Sequence, residues 1–135
     1  MIVLDASTIL KWVWAHEPQS QTALANRNRH LAGTDRVAVP ELAFYEIANA
    51  LATKTTLLPE ESIEEFVAIV DMELESHNLG VEEFVKAIHL SKRFKISLYD
   101  SSYIVLAAAL RCEFITADSQ LFTKVKSLSY VKLLR

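Results

Sequence analysis

Short apolar runs that alternate with longer helical segments constrain the fold of this chain more than any other feature of its sequence. The 135 residues contain only two glycines and three prolines, so the chain is built mostly from regular elements joined by short connections. We interpret four apolar runs as strands, at residues 2–4, 37–39, 114–116 and 130–134. Strands that alternate with helices predict a three-layer α/β/α sandwich with a mainly parallel central sheet.

Seven segments beside these runs are predicted to be helices. They are a stretch that follows residues 5–8 and ends near His16, residues 18–32 and 41–54, a helix opened by Pro59, a helix around residues 81–88, and residues 101–110 and 121–128. Helical spacing predicts a buried apolar stripe on the fourth and fifth helices: Ile63, Phe66, Val67, Val70 and Leu74, then Val81, Phe84, Val85 and Ile88. The sixth helix is apolar nearly all round, so we expect it to be central.

The composition predicts one domain over residues 1–135, because the length suits one ordinary domain and 51% of the residues are apolar. The single cysteine, Cys112, has no partner in the chain, which favours a reducing, cytoplasmic location. No secretory signal is legible in the first residues, and the longest apolar run, residues 103–110, is too short to span a bilayer.

The net charge of −3 argues against a protein that holds nucleic acid through its overall charge, since clustered lysines and arginines neutralise phosphates. It leaves open a nucleic-acid enzyme whose acidic site reaches phosphate through a metal ion. Function therefore has to be argued from individual residues.

Four acidic residues stand near the place where an open α/β sheet binds its ligands, beyond the carboxyl ends of the strands. Asp5 follows the first strand, Asp118 follows the strand at residues 114–116, and Asp100 opens the sixth helix. Glu46 lies inside the third helix between apolar neighbours, where an unpaired carboxylate is costly to bury. If the four carboxylates converge, their repulsion raises their pKa values, and a divalent cation relieves it.

An all-oxygen cluster of this kind suits Mg²⁺ or Mn²⁺ and suits zinc or copper poorly. Such ions bridge a substrate phosphate and activate water for in-line attack on a phosphodiester. Ser7 and Thr116 each lie two residues from a site aspartate, where a hydroxyl can hold water or orient a carboxylate.

A structural interpretation competes with the site at every single residue. Asp5, Asp100 and Asp118 each precede or begin a helix, where aspartate is a common cap, and Ser97 with Asp100 fits a capping-box spacing. Glu46 taken alone is compatible with a half-exposed helix position. Caps do not require acids to gather at one edge of a sheet, so the joint placement favours a site.

Trp12 and Trp14 lie close together in the first helix and are either core residues or a surface for a partner or a twin subunit. We favour the surface. Together with the high apolar fraction, it predicts that the chain forms a homodimer.

Four segments, taken in order, resemble the acidic motifs of the PIN-domain family. The first resembles the opening strand that ends in Asp-x-Ser, the second the acidic helix, and the last two the third and fourth acidic motifs. The segments are residues 2–7, 40–49, 98–107 and 114–118, and they contain Asp5, Glu46, Asp100 and Asp118. The resemblance covers nearly the whole chain, and the ordered set is far more specific than any one motif.

The resemblance implies a metal-dependent endoribonuclease in which Asp5, Glu46, Asp100 and Asp118 form the acidic quartet around Mg²⁺ or Mn²⁺. The minimal length resembles the VapC toxins of toxin–antitoxin pairs, which implies an RNA target and a VapB-like antitoxin as partner. Other small PIN proteins share the quartet, so the toxin type is the less specific part of the resemblance.

Two other kinds of function stay open at this point. One is another Mg²⁺-dependent α/β phosphotransfer or phosphatase domain. A haloacid-dehalogenase-like phosphatase needs a second aspartate where this chain has Ser7, and a response-regulator receiver needs paired acids early in the chain and a lysine late. The other is a non-catalytic interaction module, in which the acids are helix caps and an apolar surface binds a partner.

Overall fold

Five parallel strands form the sheet at the centre of the computed structural model, which describes residues 1–14 and 18–135. The strands are β1 (Ile2–Leu4), β2 (Val37–Pro40), β3 (Glu75–His77), β4 (Glu113–Thr116) and β5 (Val131–Leu133). They lie in the order β3-β2-β1-β4-β5, and each neighbouring pair is parallel. The predicted α/β/α sandwich is confirmed, and this order differs from the 2-1-3-4-5 order of receiver domains.

Seven helices within the described ranges connect the strands and cover the sheet. They are α1 (Ala6–Leu10), α2 (Ser20–Leu31), α3 (Leu42–Thr53), α4 (Pro59–Val70), α5 (Val81–Phe94), α6 (Leu98–Leu110) and α7 (Ser119–Val125). None of them is long and apolar enough to cross a membrane. The division of the chain into one domain stays a prediction.

β1 lies in the middle of the sheet and is buried along its whole length, as expected for a strand with neighbours on both sides. Val3 pairs with Ala38 of β2 on one side and with Phe114 of β4 on the other. Leu4 is in register with Ile115, so the residues that follow β1 and the end of β4 meet at one edge of the sheet.

α6 is the buried helix of the core, as its all-round apolar character predicts. Residues 101–107 are all buried, and the helix contacts β1, β2 and β4. The Tyr103 ring stacks on the ring of Phe114 in β4, with the two centroids 5.8 Å apart. This stack holds the first turns of α6, and with them Asp100, against the sheet.

β3 is missing from the sequence prediction because residues 75–77 contain no apolar run. The strand lies at the edge of the sheet, where it has one neighbour and little surface to bury. Its pairing with β2 runs from Ala38 opposite Glu75 to Pro40 opposite His77. An edge strand held by backbone pairing leaves little trace in an apolar pattern.

The first helix is shorter than predicted, and Trp12 lies just beyond its end. α1 ends at Leu10 rather than near His16, which lies outside the described residues. Trp12 is 6% exposed and belongs to the core, and its indole N–H donates to the Ala23 carbonyl at 2.8 Å. Its interpretation as a partner surface is therefore wrong, and Trp14 is half-buried against the same core.

The apolar stripes of α4 and α5 are largely exposed, which corrects a second prediction. Phe66 packs against the core and Leu74 is buried, but the other members of both stripes are exposed. These exposed residues are Ile63, Val67 and Val70 on α4 and Val81, Phe84, Val85 and Ile88 on α5. Helical spacing identifies an apolar face but does not say what covers it. Here the buried residues are Ile69 on α4 and Ala87 on α5.

His30 offers a test of how the fold is held together, because both of its ring nitrogens bridge to other elements. Nδ1 accepts a hydrogen bond from the Val37 N–H at 3.0 Å, and Nε2 donates to the Met72 carbonyl at 2.7 Å.

We expect His30→Ala to lower the free energy of unfolding by about 2–4 kcal/mol, since a buried group left unpaired costs about 1–3 kcal/mol. Urea unfolding measures this. His89→Ala, the same change at an exposed position of α5, should cost less than about 0.5 kcal/mol; equal losses would contradict the bridging role.

Candidate active site

A cavity of about 250 Å³ opens at the carboxyl edge of β1 and β4, and the four predicted acids line it. Asp5 reaches it from the end of β1, and Asp118 from the end of β4. Glu46 reaches it from the middle of α3, and Asp100 from the first turn of α6. The structure thus places all four carboxylates around one space, which we call the acid cavity.

Asp5 is the most tightly held of the four. Its Oδ1 accepts hydrogen bonds from the Ser7 hydroxyl at 2.7 Å, and from the Thr8 N–H and the Thr8 hydroxyl at 2.9 Å each. Its Oδ2 accepts a hydrogen bond from the Thr116 hydroxyl. Both predicted accessory residues, Ser7 and Thr116, therefore contact Asp5. Thr8 was missed, although a threonine three residues after a capping aspartate is a readable signal.

Burial raises the pKa of Asp5, although these four hydrogen bonds oppose the rise. The donors compensate the carboxylate only partly for the water that it has lost. A cation in the acid cavity would supply the missing compensation.

Glu46 is held by a residue that the sequence prediction missed. The Tyr103 hydroxyl donates a hydrogen bond to Oε1 of Glu46 at 2.7 Å. Burial raises the pKa of Glu46, and the charges of Asp100 and Asp5 raise it further, while the Tyr103 bond opposes them. Burial and Glu46 in turn raise the pKa of Tyr103, so its hydroxyl stays a donor. Tyr103 lies three residues after Asp100, on the same face of α6. This spacing could have identified Tyr103 as a residue near the acidic site.

Asp100 lies in the first turn of α6 and is not the N-cap of that helix. Ser97 caps α6, and its hydroxyl oxygen accepts a hydrogen bond from the Asp100 N–H at 3.0 Å. Burial raises the pKa of Asp100, a hydrogen bond with the Ser97 hydroxyl opposes the rise, and the charges of Asp5 and Asp118 add to it. The capping-box spacing is therefore partly realised, through the Asp100 N–H, and the Asp100 side chain also lines the acid cavity.

Asp118 does cap a helix. Its Oδ1 accepts hydrogen bonds from the N–H groups of Gln120 and Leu121 at 2.9 and 3.0 Å, at the start of α7. Its own N–H donates to the Thr116 hydroxyl oxygen at 3.0 Å. A carboxylate has two oxygens, so a cap at Asp5 or Asp118 leaves room for a second role.

The donor set fits a hard divalent cation, because carboxylate oxygens dominate the walls of the acid cavity. Within residues 1–14 and 18–135, however, no three His, Cys, Asp or Glu side chains stand close enough together to form a ready metal site. Mg²⁺ usually binds through one or two carboxylates, several waters and substrate phosphates. The spacing of the four carboxylates suits this kind of binding better than a site in which protein side chains supply every ligand.

The raised pKa of Asp100 leads to a stability test in the absence of metal. Because the pKa of Asp100 is raised in the folded state, its ionisation lowers the free energy of unfolding. This loss is absent below the ordinary pKa of 3.8 and develops as the pH rises through the raised pKa of the folded state. We expect Asp100→Asn to melt above the wild type at pH 7 in EDTA, and the difference to vanish towards pH 4. Asp71→Asn, an exposed aspartate outside the cavity, should shift the melting temperature little at either pH. A wild type that melts above Asp100→Asn at pH 7 would contradict the repulsion.

Comparisons with known proteins bear on this geometry. No curated protein sequence matches the chain. Among solved structures, PAE2754 from Pyrobaculum aerophilum is similar with a TM-score of 0.69 at 16% identity, covering 97% of this chain and 82% of that one. A toxin–antitoxin complex from Klebsiella pneumoniae is similar with a TM-score of 0.70 at 14% identity, covering 97% of this chain and 95% of that one.

VapC20 of Mycobacterium tuberculosis, described as a sarcin–ricin loop cleaving toxin, is similar with a TM-score of 0.68 at 12% identity, covering 93% of this chain and 95% of that one. At these identities the three likenesses concern the fold. The PIN domain family matches residues 2–128, almost the whole chain, which confirms the resemblance drawn from the acidic motifs. The chain belongs to the PIN domain family.

Proposed function

We propose that this PIN domain is a Mg²⁺- or Mn²⁺-dependent endoribonuclease, and that it is the toxin of a toxin–antitoxin pair. The observation that carries the proposal is the gathering of Asp5, Glu46, Asp100 and Asp118 around one cavity in a chain of this family. Two structures of similar fold, a toxin–antitoxin complex and a sarcin–ricin loop cleaving toxin, support the choice of RNA and of the toxin role. A cytoplasmic location stays a prediction.

The residues of the acid cavity have distinct tasks in this proposal. Asp5, Glu46, Asp100 and Asp118 would hold the divalent ion, in part through its bound waters, and the ion would supply charge neutralisation at the phosphate and a more acidic bound water. Ser7, Thr8 and Thr116 fix the orientation of Asp5.

Two further side chains complete the cavity. Tyr103 fixes the orientation of Glu46 by its hydrogen bond to Oε1. Lys54 also lines the cavity and provides a positive charge within reach of a phosphate there.

The first test is cleavage of RNA. We expect the purified chain to cut RNA with Mg²⁺ or Mn²⁺ and to stop in EDTA. Asp5→Asn, Glu46→Gln, Asp100→Asn and Asp118→Asn should each lower the rate by orders of magnitude, because each removes a charged ligand and leaves the side-chain shape nearly unchanged. Single-turnover rates on a labelled RNA, with saturating Mn²⁺, measure the effect.

Glu60→Gln is the matched control, because Glu60 is an exposed acid in the first turn of α4, outside the cavity. It should cleave at the wild-type rate. Wild-type rates in all four acid variants would return these residues to a structural role and favour the non-catalytic interaction module. The product of a neighbouring reading frame, if it is the antitoxin, should inhibit the wild-type reaction.

Exposed apolar surfaces support the two protein partners in this proposal, an amphipathic antitoxin segment and a second copy of the chain. Between α3 and α4 lies a cavity of about 380 Å³ with apolar walls that include Leu51, Ile63 and Phe66, which suits side chains of an amphipathic helix. On α5, Val81, Val85 and Ile88 form an exposed row at helical spacing, the α5 row. A twofold contact between two such rows would cover both.

The α5 row replaces the tryptophans as the basis for the expected homodimer. We expect light scattering to give twice the 15.2 kDa chain mass at micromolar concentration. Val85→Glu should give a monomer, because the change places a charge in the middle of the contact. Thr123→Glu, on an exposed residue of α7, should leave the mass unchanged. A wild-type monomer, or a dimer that Val85→Glu leaves intact, would contradict this assignment.

A further inference from the structure

A second cavity, of about 340 Å³, opens beside the acid cavity. Its lining includes Pro40, the last residue of β2, and His77, the last residue of β3. In the order β3-β2-β1-β4-β5, the carboxyl ends of β3 and β2 are followed directly by those of β1 and β4. The second cavity and the acid cavity therefore open side by side along the same edge of the sheet.

The two cavities share the helices that form their common wall. On α3, Tyr45 lines the second cavity and the next residue, Glu46, lines the acid cavity. On α6, Ser102 lines the second cavity and the next residue, Tyr103, lines the acid cavity. Each of these two helices therefore gives neighbouring residues to both cavities, which makes the cavities adjacent.

The second cavity presents aromatic rings to solvent. Tyr45 is 75% exposed, and Phe84 and His77 complete the aromatic lining. Phe84 lies beside the α5 row, so its exposure of 45% is that of a single chain. The fold has no need of the exposed part of Tyr45, because its neighbours on α3, Ala43 and Ile47, are the residues that enter the core. Exposed rings beside a proposed catalytic cavity indicate a stacking surface.

Polar groups at the rim match the edges of a nucleobase. Asn78 carries an amide that donates and accepts hydrogen bonds, and Glu41 carries a carboxylate that accepts them. Within the described residues, the lining contains no lysine or arginine, which makes a phosphate a poor occupant. Aromatic faces combined with amide and carboxylate groups are what single-stranded RNA recognition uses for unstacked bases.

We propose that the second cavity binds one unpaired nucleobase of the RNA, on a nucleotide adjacent to the phosphodiester at the acid cavity. The base stacks on Tyr45, and its hydrogen-bonding edge faces Asn78 and Glu41. The assignment rests on the proposed ribonuclease function for the identity of the polymer. It adds a base-binding subsite, and hence a source of sequence preference, to a cleavage site that otherwise contacts phosphate.

The first arm of the test measures kcat/KM on single-stranded RNA. Tyr45→Ala should lower kcat/KM by about 5- to 150-fold, the loss expected for one stacked base. Tyr45→Phe should stay close to the wild type, because stacking needs the ring and not the hydroxyl. Tyr99→Ala removes a tyrosine that is 63% exposed and adjacent to Asp100 but outside the second cavity, and should have little effect. Equal losses in Tyr45→Ala and Tyr99→Ala would overturn the assignment to this cavity.

The second arm needs neither metal nor cleavage. Cytidine, uridine, adenosine and guanosine are titrated into the metal-free, isotope-labelled chain, and NMR shifts are followed at Tyr45, Asn78 and Phe84. At least one nucleoside should shift these resonances in the wild type and leave those of Asn78 and Phe84 unshifted in Tyr45→Ala. The absence of any shift in the wild type would overturn the proposal, and shifts caused by an antitoxin segment instead would assign the cavity to a protein partner.

The two arms separate this inference from the function on which it rests. If the wild type and Tyr45→Ala cleave RNA equally and no nucleoside shifts the resonances, the base-binding subsite is excluded and the ribonuclease function is retained. A chain that cuts no RNA removes the ribonuclease, and the nucleoside titration still decides whether the cavity binds a base.

Discussion

The hydroxyl of Thr116 links the two central strands of the sheet to the acid cavity. Thr116 is the last residue of β4 and is fully buried. It donates a hydrogen bond to Asp5, which follows β1, and accepts one from the N–H of Asp118. This double contact depends on the parallel register that sets Leu4 opposite Ile115. A shift of either strand by one residue would turn its side chains to the other face and separate the acids.

Helix capping and a shared acid cavity are compatible in this protein because they use different oxygens or different residues. Asp5 caps α1 through Oδ1, and its Oδ2 accepts a hydrogen bond from the Thr116 hydroxyl. At α6 the cap is Ser97, and the side chain of Asp100 lines the cavity. The raised pKa values of Asp5, Glu46 and Asp100 show that the arrangement does not favour charged carboxylates in the metal-free fold. Proteins commonly lose some folding stability at functional sites, and a bound ligand can offset the repulsion among clustered acids there.

The sequence predicts local features well and distant pairs poorly. The apolar strands and the acids that follow them can be read from neighbouring residues, and so can the capping hydroxyls around Asp5. The Tyr103–Glu46 bond joins residues 57 positions apart, so no local pattern reveals the partner. β3 is held by backbone pairing at an edge, and the exposed row on α5 has the same spacing as a buried one. In each case the missing information is which surfaces meet, which a periodic pattern does not contain.

The local field at the acid cavity matters more for a polyanionic substrate than the net charge of −3. Lys54 lines the cavity and lowers the pKa of Glu46, against the larger effect of burial. Lys124 acts on Asp100 in the same direction, and its ammonium group donates to the Lys95 carbonyl at 3.3 Å. The acids of the cavity are thus accompanied by lysines whose charges could meet phosphate groups of the proposed RNA substrate. Once the four cavity acids and Lys54 are set aside, thirteen acidic and thirteen basic residues remain, so the rest of the chain adds no net charge that would attract nucleic acid indiscriminately.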